Sequence, residues 1–290
     1  MPEGHTLHRL ARELTDVFGG RRVHVGSPQG RFADSAALVD GTTLVDAEAW
    51  GKQLFIRFAG DGLPEDRFVH VHLGLYGTFA VHDGVDEVPA PVGQVRLRLV
   101  RPADAAGAPA YGDLRGATTC ALVTGAERAA VVARSGPDPL RPDADPERAW
   151  ARISRSASPI GTLLMDQTVL AGVGNVYRAE VLFRHRIHPL RPGRTLRVSQ
   201  WRSIWDDLVV LMTEGVRTGR IDTVRPEHTP EAMARPPRKD DHGGEVYVYR
   251  RTGQGCHVCG RAVRTEVLGG RNLFWCPGCQ PTFRSRAAAT

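Results

Sequence analysis

Residues 256–279 read CHVCGRAVRTEVLGGRNLFWCPGC, and two cysteine pairs decide how this stretch folds. Cys256 and Cys259 form the first pair, Cys276 and Cys279 form the second, and sixteen residues separate them. Each tight pair can place two thiolates on one side of a turn, so that two pairs complete a tetrahedral shell around Zn²⁺. The spacing predicts one structural zinc ion, because a catalytic zinc would keep an open position. Disulfides or four free thiols are the alternatives.

The segment between the pairs contains Leu268-Gly-Gly-Arg-Asn-Leu-Phe-Trp275, which is typical of a β-hairpin. We expect the tip of this hairpin to present Arg271. An arginine at a hairpin tip is usually only solvated, but it can also contact a phosphate group of nucleic acid. Arg271 is therefore a candidate phosphate contact.

Upstream of the cysteines, Leu170-Ala-Gly-Val-Gly-Asn175 precedes a helical pattern over residues 176–186. A helix, a glycine-rich turn and a second helix together have a helix-turn-helix shape. Asn175 stands where it can cap the second helix, and the N–H groups behind it could hold a DNA phosphate. An ordinary helix hairpin accounts for this pattern equally well.

The N-terminal half begins with a helical pattern over residues 2–18 and then changes to a period of two. Polar and apolar residues alternate strictly in Gln94-Val-Arg-Leu-Arg-Leu99, and Val69, Val71 and Leu73 alternate with histidines. Several short strands between turns predict a β-sandwich or barrel. Because helical patterns return further along the chain, the predicted fold class is α+β.

Composition divides the chain into segments. Residues 135–147 are rich in proline and aspartate and are predicted as a linker, and residues 219–245 are predicted as a mobile loop. Helical periods are found over residues 150–153, 160–169, 176–185 and 201–216, and residues 246–249 are strand-like. The predicted organisation is a sandwich domain (1–134), a linker (135–147), a helical domain (148–245) and a zinc finger (246–282).

Bulk composition narrows the classes of function. The 290 residues carry a net charge of +6, and arginine dominates the basic side chains. Such a balance favours a polyanionic partner, of which nucleic acid is the commonest. We expect neither a membrane span nor a signal peptide. Paired cysteines in an intracellular protein indicate metal more often than disulfides, and the expected location is the cytoplasm.

The N-terminus offers a reactive amine. If Met1 is removed, Pro2 carries a secondary amine, and an α-amino group has a pKa near ~8, so that much of it is unprotonated at neutral pH. Such an amine can attack a sugar C1′ to give an iminium, and the neighbouring Glu3 could move protons. The simpler interpretation is a proline at the first position of a helix beside a glutamate that suits the helix dipole. These residues alone favour the simpler interpretation.

Six segments considered together decide between these interpretations. They are Pro2-Glu3-Gly4, Gly51-Lys52, His72-Leu-Gly-Leu-Tyr-Gly77, Ser135-Gly-Pro-Asp-Pro-Leu140, Leu163–Asn175 and Gly270–Gln280. In order and spacing, over nearly the whole chain, they resemble the formamidopyrimidine-DNA glycosylase and endonuclease VIII family. The chain is most similar to the endonuclease VIII branch found in actinobacteria. No single segment is as specific as the set.

The resemblance implies an N-terminal β-sandwich with a leading helix, a helical domain with a helix-two-turn-helix, and a zinc finger with four cysteine ligands. It implies that double-stranded DNA lies between the two domains and that the damaged nucleotide is flipped into a pocket. It also suggests a monomer.

The same resemblance assigns roles to individual residues. Pro2 is the expected nucleophile, Glu3 the expected acid/base residue and Lys52 the lysine required for strand cleavage. Asn175 and Arg271 match the family's phosphate clamps and are expected to bind DNA, and Arg271 is also counted with the catalytic set. His72 is expected to make a further phosphate contact. Leu75 and Tyr76 are expected to fill the hole left by the flipped base.

Some positions depart from the family pattern. Thr6 stands where many members carry a second glutamate, and His5 replaces a frequent proline. Gly74 stands where some endonuclease VIII proteins have glutamine. Asp113-Leu-Arg115-Gly116 fits the arginine-bearing loop of the formamidopyrimidine branch only loosely, which leaves recognition of the opposite base open.

The expected activity is that of a bifunctional DNA glycosylase and abasic-site lyase of base excision repair. It would remove oxidised bases, pyrimidines in preference to purines, and cut the strand by β,δ-elimination. The main rival is a DNA-binding protein that recognises lesions without catalysis, and the intact set of Pro2, Glu3 and Lys52 argues against it. A purely structural zinc ribbon is a third possibility, but the cysteine segment is less than a fifth of the chain.

Overall fold

The structure, a computed structural model, describes residues 2–104, 107–239 and 244–283. The chain divides into an N-terminal unit, Met1–Arg134, and a C-terminal unit, Ser135–Thr290. Within the described ranges, none of the helices combines the length and the apolar character that a membrane crossing requires.

The N-terminal unit consists of one leading helix, a set of antiparallel strands and two further helices. Its elements are α1 (Gly4–Phe18), β1 (Arg21–Arg22), β2 (His24–Gly26), α2 (Ala33–Val39), β3 (Thr43–Trp50), β4 (Gln53–Ala59), β5 (Arg67–His72), β6 (Thr78–His82), β7 (Val95–Arg101), β8 (Ala110–Arg115), β9 (Thr119–Thr124) and α3 (Gly125–Arg134).

The strands form two sheets with the orders β1-β3-β4-β5-β9 and β2-β7-β8-β6. Ile56 and Val69 of the first sheet share one buried core with Leu99 and Leu114 of the second. This packing is what the alternating pattern predicts, because a strand buries every second side chain. The predicted sandwich is therefore confirmed.

In its described residues the C-terminal unit is helical and contains a β-hairpin. Its elements are α4 (Pro146–Ile153), α5 (Ile160–Leu163), α6 (Asn175–Arg184), α7 (Val198–Thr218), β10 (Arg264–Leu268) and β11 (Arg271–Trp275), with 3₁₀ turns at Gly193–Thr195 and Pro226–His228. Trp201 and Leu182 of the helices share a single core with Phe274 and Cys276 of the hairpin region. The hairpin is therefore packed onto the helices, not suspended from them.

Two predicted elements are wrong. The helix expected over residues 160–169 ends at Leu163, because the Asp166 side chain accepts hydrogen bonds from the backbone N–H and the hydroxyl of Thr168, at 2.9 and 2.8 Å. Such a local side-chain bond competes with helix formation. The strand expected over residues 246–249 is absent.

The backbone of residues 246–249 wraps around one buried carboxylate. The N–H of Tyr247 donates to Oε2 of Glu180 at 2.6 Å, and those of Val248 and Tyr249 donate to Oε1 at 2.8 Å. Buried N–H groups need partners, and these find them on a side chain of α6 instead of a neighbouring strand. Apolar residue types made this stretch look like a strand.

The segments predicted as linker and loop make specific contacts. Residues 136–139 are buried in the C-terminal unit, where the Gly136 N–H donates to Gln167 O at 2.8 Å. In the loop, the Thr223 hydroxyl donates to Glu180 at 2.6 Å, and His228 Nδ1 lies 2.9 Å from the Tyr247 hydroxyl. The four-segment organisation and the mobility of residues 219–245 stay predictions.

Candidate active site and nucleic-acid interface

Pro2 lies outside the first helix. α1 begins at Gly4, and Glu3 is its N-cap residue with extended backbone angles, so Pro2 precedes the cap. Proline is favoured at the first helical position because its missing N–H is not needed there, and Pro2 does not occupy that position. The interpretation of Pro2 as an ordinary helix-start proline is therefore wrong. Glu3 is fully buried.

The first helix and β3 run in opposite directions. Thr15 on α1 exchanges hydrogen bonds with Ala47 on β3, and the Gly20 N–H donates to Leu44 O. The start of α1 therefore lies toward the end of β3 that leads into the Gly51–Lys52 turn.

Two histidines on β5 contact this turn. His72 Nδ1 lies 2.9 Å from the backbone oxygen of Lys52, which fixes the imidazole beside the lysine. His70 Nε2 lies 2.7 Å from Gln53 Oε1, and its ring stacks on Phe55 at 4.8 Å. Burial lowers the pKa of His70 to about 4, with His72 acting in the same direction. The structure thus brings His72 and Lys52 together, as their assignment to one site requires.

The loop after β5 presents two large apolar side chains. Leu75 is 43% exposed and Tyr76 is 87% exposed. Exposed apolar side chains at a loop tip indicate a contact surface. Gly74 has φ +70°, and a Cβ added there would lie 2.0 Å from the Thr118 hydroxyl. The backbone therefore favours glycine at this position, because other residues rarely adopt a positive φ and a side chain would crowd Thr118.

The arginine of the 113–116 segment is bound by residues of the N-terminal unit. Arg115 Nη2 lies 2.9 Å from Oδ2 of the buried Asp113, and its Nε donates to Val92 O at 3.2 Å. Arg98 also approaches Asp113, at 3.6 Å. An arginine held by Asp113 on its own strand and by Val92 in the loop before β7 has fewer donors to offer a base.

His5 is buried at the start of α1. Its Nε2 lies 3.3 Å from the Thr6 hydroxyl. Burial lowers the pKa of His5 to about 3, with the charge of His8 acting in the same direction. A neutral imidazole at pH 7 cannot replace the charge of the glutamate that other members carry beside it.

The depressed pKa of His5 makes the N-terminal unit sensitive to acid. The unfolded chain binds a proton on this imidazole below its ordinary pKa of 6.5, and the folded protein does so only near 3. Stability is therefore complete above pH 6.5 and falls as the pH drops, by about 2 kcal/mol at pH 5 from His5 alone. In urea unfolding, the free energy of unfolding of His5→Gln should differ less between pH 8 and pH 5 than that of the wild type. His24→Gln changes an exposed histidine and should keep the wild-type difference. An unchanged difference in His5→Gln would contradict the depressed pKa of His5.

Asn175 does not cap α6. Gly174 is the N-cap residue, and Asn175 is the first residue of the helix, so the predicted cap is wrong. Its Nδ2 instead donates to Asn272 O at 3.0 Å, and its Oδ1 accepts from Arg178. Arg178, which is buried, donates to the same Asn272 oxygen at 3.2 Å. The amide of Asn175 is thus fixed between α6 and β11.

No motif in the sequence singled out Arg178. Its guanidinium links Asn175, Asn272 and the Gly161 carbonyl oxygen, the last at 3.2 Å. The three-residue spacing of Asn175 and Arg178 could have indicated their contact, because it places both side chains on one face of a helix start.

Arg271 directly precedes Asn272, whose backbone oxygen binds Asn175 and Arg178. It is the first residue of β11 and pairs with Leu268 across the Gly269-Gly270 turn, in which both glycines have positive φ. The turn itself forms the tip, and Arg271 stands one position behind it, half-buried. Because the backbone oxygen of Asn272 is bound to Asn175, the structure brings the buried Asn175 next to the strand that carries Arg271.

The four paired cysteines converge as their spacing predicts. Their sulfur atoms all lie within 4.8 Å of one another, with Cys256 and Cys279 at 3.8 Å and Cys259 and Cys276 at 3.4 Å. In a tetrahedral site with Zn–S bonds of ~2.3 Å, sulfur atoms lie about 3.8 Å apart. The donor set therefore fits zinc. Cys120 is separate, in the N-terminal unit, where burial raises its pKa to about 12.

Three family descriptions match successive parts of the chain. "Formamidopyrimidine-DNA glycosylase N-terminal domain" matches residues 1–120, "Formamidopyrimidine-DNA glycosylase H2TH domain" matches residues 135–226, and "Zinc finger found in FPG and IleRS" matches residues 253–282. The third match agrees with the convergence of the four cysteines into a metal-binding cluster.

Individual relatives cover the chain almost completely. Endonuclease 8 1 of Mycobacterium tuberculosis is 54% identical over 285 residues, which cover 97% of this chain and 100% of the relative. Among solved structures, Lactococcus lactis Fpg with abasic-site DNA has a TM-score of 0.74 at 24% identity, and Thermus thermophilus MutM (Fpg) has 0.70 at 26%. These two comparisons cover 97% and 98% of this chain, and 100% of each structure. The chain therefore belongs to the formamidopyrimidine-DNA glycosylase and endonuclease 8 family, the DNA glycosylases and abasic-site lyases of DNA repair.

Proposed function

We propose that this protein excises damaged bases and cuts the abasic strand with the amine of Pro2 as nucleophile. The supporting observation is the position of Pro2, outside α1 and directly before the buried Glu3, at the end of α1 that lies toward the Gly51–Lys52 turn. A site of this kind needs a nucleophile, a proton-transfer group and a cation within one region.

The reaction follows from the chemistry of a secondary amine. With Met1 removed, the Pro2 nitrogen bonds to C1′ of the damaged nucleotide, the bond from C1′ to the base breaks, and the base leaves with a proton. The nitrogen loses its own proton, which leaves an aminal at C1′. The C1′–O4′ bond of the sugar then breaks and O4′ takes a proton, so that the covalent product is a ring-opened iminium. Removal of a 2′ proton then breaks the bond to the 3′ phosphate, and a second elimination breaks the bond to the 5′ phosphate. Glu3 supplies and accepts protons at the sugar.

The remaining residues bind and orient DNA. Lys52 is proposed to assist elimination, and His72, fixed on the Lys52 backbone, contacts a phosphate. The exposed Leu75 and Tyr76 enter the space that the flipped base leaves. Asn175 and Arg271 clamp the phosphate backbone of double-stranded DNA. We further propose one zinc ion per chain, a monomer, and a cytoplasmic location at the nucleoid.

The clamp role of Arg271 predicts a uniform loss of affinity. Arg271→Ala should weaken binding to all duplex sequences alike and lower the slope of log affinity against log salt by about one unit, because one phosphate contact is lost. The measurement is duplex binding at several salt concentrations. Arg202→Ala removes an equally charged but exposed side chain on α7 and should leave the slope unchanged. A change in base preference at unchanged affinity would contradict the clamp.

We infer a preference for oxidised pyrimidines. The void-filling loop carries Leu75 and Tyr76, which can refill a base stack by apolar and aromatic contact without reading the opposite base. Arg115, at the position of the purine branch's arginine loop, is bound to Asp113 and Val92. The 54% identical relative bears the name Endonuclease 8 1.

Single-turnover cleavage of matched duplexes tests this preference. We expect cutting of thymine glycol, dihydrouracil and abasic sites, with little action on 8-oxoguanine opposite cytosine. Abasic sites should be cut readily, because no base has to be expelled and flipping costs little. Faster cleavage of 8-oxoguanine opposite cytosine than of thymine glycol would overturn the preference, while covalent trapping on any of these duplexes would still support the nucleophile.

A further inference from the structure

The loop that carries Leu75 and Tyr76 lies against the segment that joins β8 to β9. A Cβ added at Gly74 would lie 2.0 Å from the Thr118 hydroxyl. A Cβ added at Gly116 would lie 3.4 Å from the carbonyl oxygen of Tyr76. The two loops are therefore in contact, and Thr118 is a direct neighbour of the side chains proposed to fill the gap in the DNA.

Backbone hydrogen bonds hold the chain in place around Thr118. Arg96 on β7 donates to the carbonyl oxygens of Ala117 and Cys120, at 3.3 and 3.4 Å. Thr119, which follows Thr118 directly, is paired with β5 in the sheet. Because the backbone is fixed before and after Thr118, little conformational entropy is left to lose when its side chain binds a ligand.

The Thr118 side chain offers a hydrogen-bonding group at the surface. It is exposed, and among the described residues its hydroxyl makes no hydrogen bond. Arg115, three positions earlier, is by contrast bound by Asp113 and Val92. Thr118 therefore presents an available hydroxyl close to the exposed Tyr76.

A base that has lost its pairing partner needs such a group. When the damaged nucleotide is flipped out and apolar side chains take its place, the Watson–Crick edge of the opposite base loses its hydrogen bonds. Polar atoms that leave water without a new partner cost free energy. A hydroxyl both donates and accepts, so it suits each of the four bases, whereas a guanidinium only donates.

We propose that Thr118 binds the Watson–Crick edge of the base opposite the lesion and makes the protein tolerant of each of the four bases there. This inference rests on the proposed function, in which Leu75 and Tyr76 occupy the space of the flipped base. Because one adaptable hydroxyl serves every opposite base, its loss should weaken binding whichever base stands there.

The test removes the hydroxyl and the opposite base, separately and together. Duplexes carry tetrahydrofuran, an uncleavable abasic-site analogue, opposite each of the four bases or opposite a second tetrahydrofuran. Binding to the full-length zinc-loaded protein is measured by fluorescence anisotropy. Thr118→Val should bind the four base-bearing duplexes about three- to tenfold more weakly than the wild type, because one hydrogen bond is lost. It should bind the duplex without an opposite base with wild-type affinity.

Two further variants serve as controls. Thr118→Ser keeps the hydroxyl and should bind all of the duplexes nearly as tightly as the wild type. Thr252→Val makes the same change at an exposed position of the C-terminal unit and should leave every affinity unchanged. If Thr118→Val weakened binding equally with and without an opposite base, or weakened neither, the proposal would be overturned.

The same titrations separate this inference from the proposed function. Binding of an uncleavable duplex needs no nucleophile, so an error in the assignment of Pro2 would leave the result unchanged. Wild-type protein that binds tetrahydrofuran duplexes no more tightly than undamaged duplex would contradict lesion recognition and the role of Thr118 with it. Tighter binding of the lesion by the wild type, combined with equal losses in Thr118→Val, would contradict the role of Thr118 alone.

Discussion

A peptide tag left in front of Pro2 is expected to reduce borohydride trapping of lesion DNA by ~10³-fold or more, while duplex binding stays nearly unchanged. The tag converts the secondary amine into an amide, which cannot form an iminium. The same tag at the C-terminus is the matched control and should leave trapping at the wild-type level. Pro2→Gly should also lose most trapping, because the ring that orients the nitrogen is gone.

Peptide mapping of the trapped adduct provides the decisive measurement. The covalent bond should be found at residue 2 in the wild type and in the C-terminally tagged protein. An adduct on an internal lysine, Lys52 above all, would refute the assignment of the nucleophile. It would not affect the zinc site or the family membership.

Cys276→Ala is expected to abolish zinc binding and to weaken duplex affinity by at least about tenfold. Cys276 is fully buried, its N–H donates to Gln280 Oε1 at 2.9 Å, and Gln280 Nε2 donates to Ile187 O at 2.9 Å. Loss of the metal releases β11, which follows the Gly-Gly turn and carries Arg271 and Asn272. Binding of zinc to such a site contributes about 10–16 kcal/mol in small fingers, so its loss unfolds this region.

The zinc content of Cys276→Ala is measured by elemental analysis. Its affinity for duplex DNA is measured at several salt concentrations, and its stability by thermal unfolding. Cys120→Ala is the matched control, since Cys120 is a buried cysteine of the N-terminal unit outside the metal cluster. It should retain one zinc ion per chain and the wild-type affinity. Active protein that contains no zinc when freshly purified would contradict the structural role of the metal.

Local sequence signals predicted much of this fold because they act over a few residues. The alternation around Val69 and Val71 set the burial of β5, and the spacing of α1's apolar residues set the face that packs on the sandwich. The Cys-x2-Cys pairs predicted their own convergence, because each knuckle is a local turn. Net charge and the N-terminal proline were informative only in combination with the segments that resemble the family.

Where the sequence pattern predicted the wrong local structure, hydrogen bonds with residues far away in the sequence determined the observed one. Residues 246–249 are apolar enough for a strand, but their N–H groups bind Glu180, more than sixty positions earlier. Asn175 has the residue type of a cap, but Asn272 and Arg178 hold its amide elsewhere. No local pattern contains such contacts, since they form only when the elements pack.

The sequence by itself determined the α+β class and the cysteine cluster, because residue type and short spacing carry that information. It indicated the candidate nucleophile only through the resemblance to the family. Only the tertiary structure decided that Pro2 stands outside its helix, that His72 rests on the Lys52 backbone and that Asn175 is fixed to the hairpin of Arg271. The physical reason is that such sites are built from buried hydrogen bonds between residues far apart in sequence, and their partners are chosen by packing.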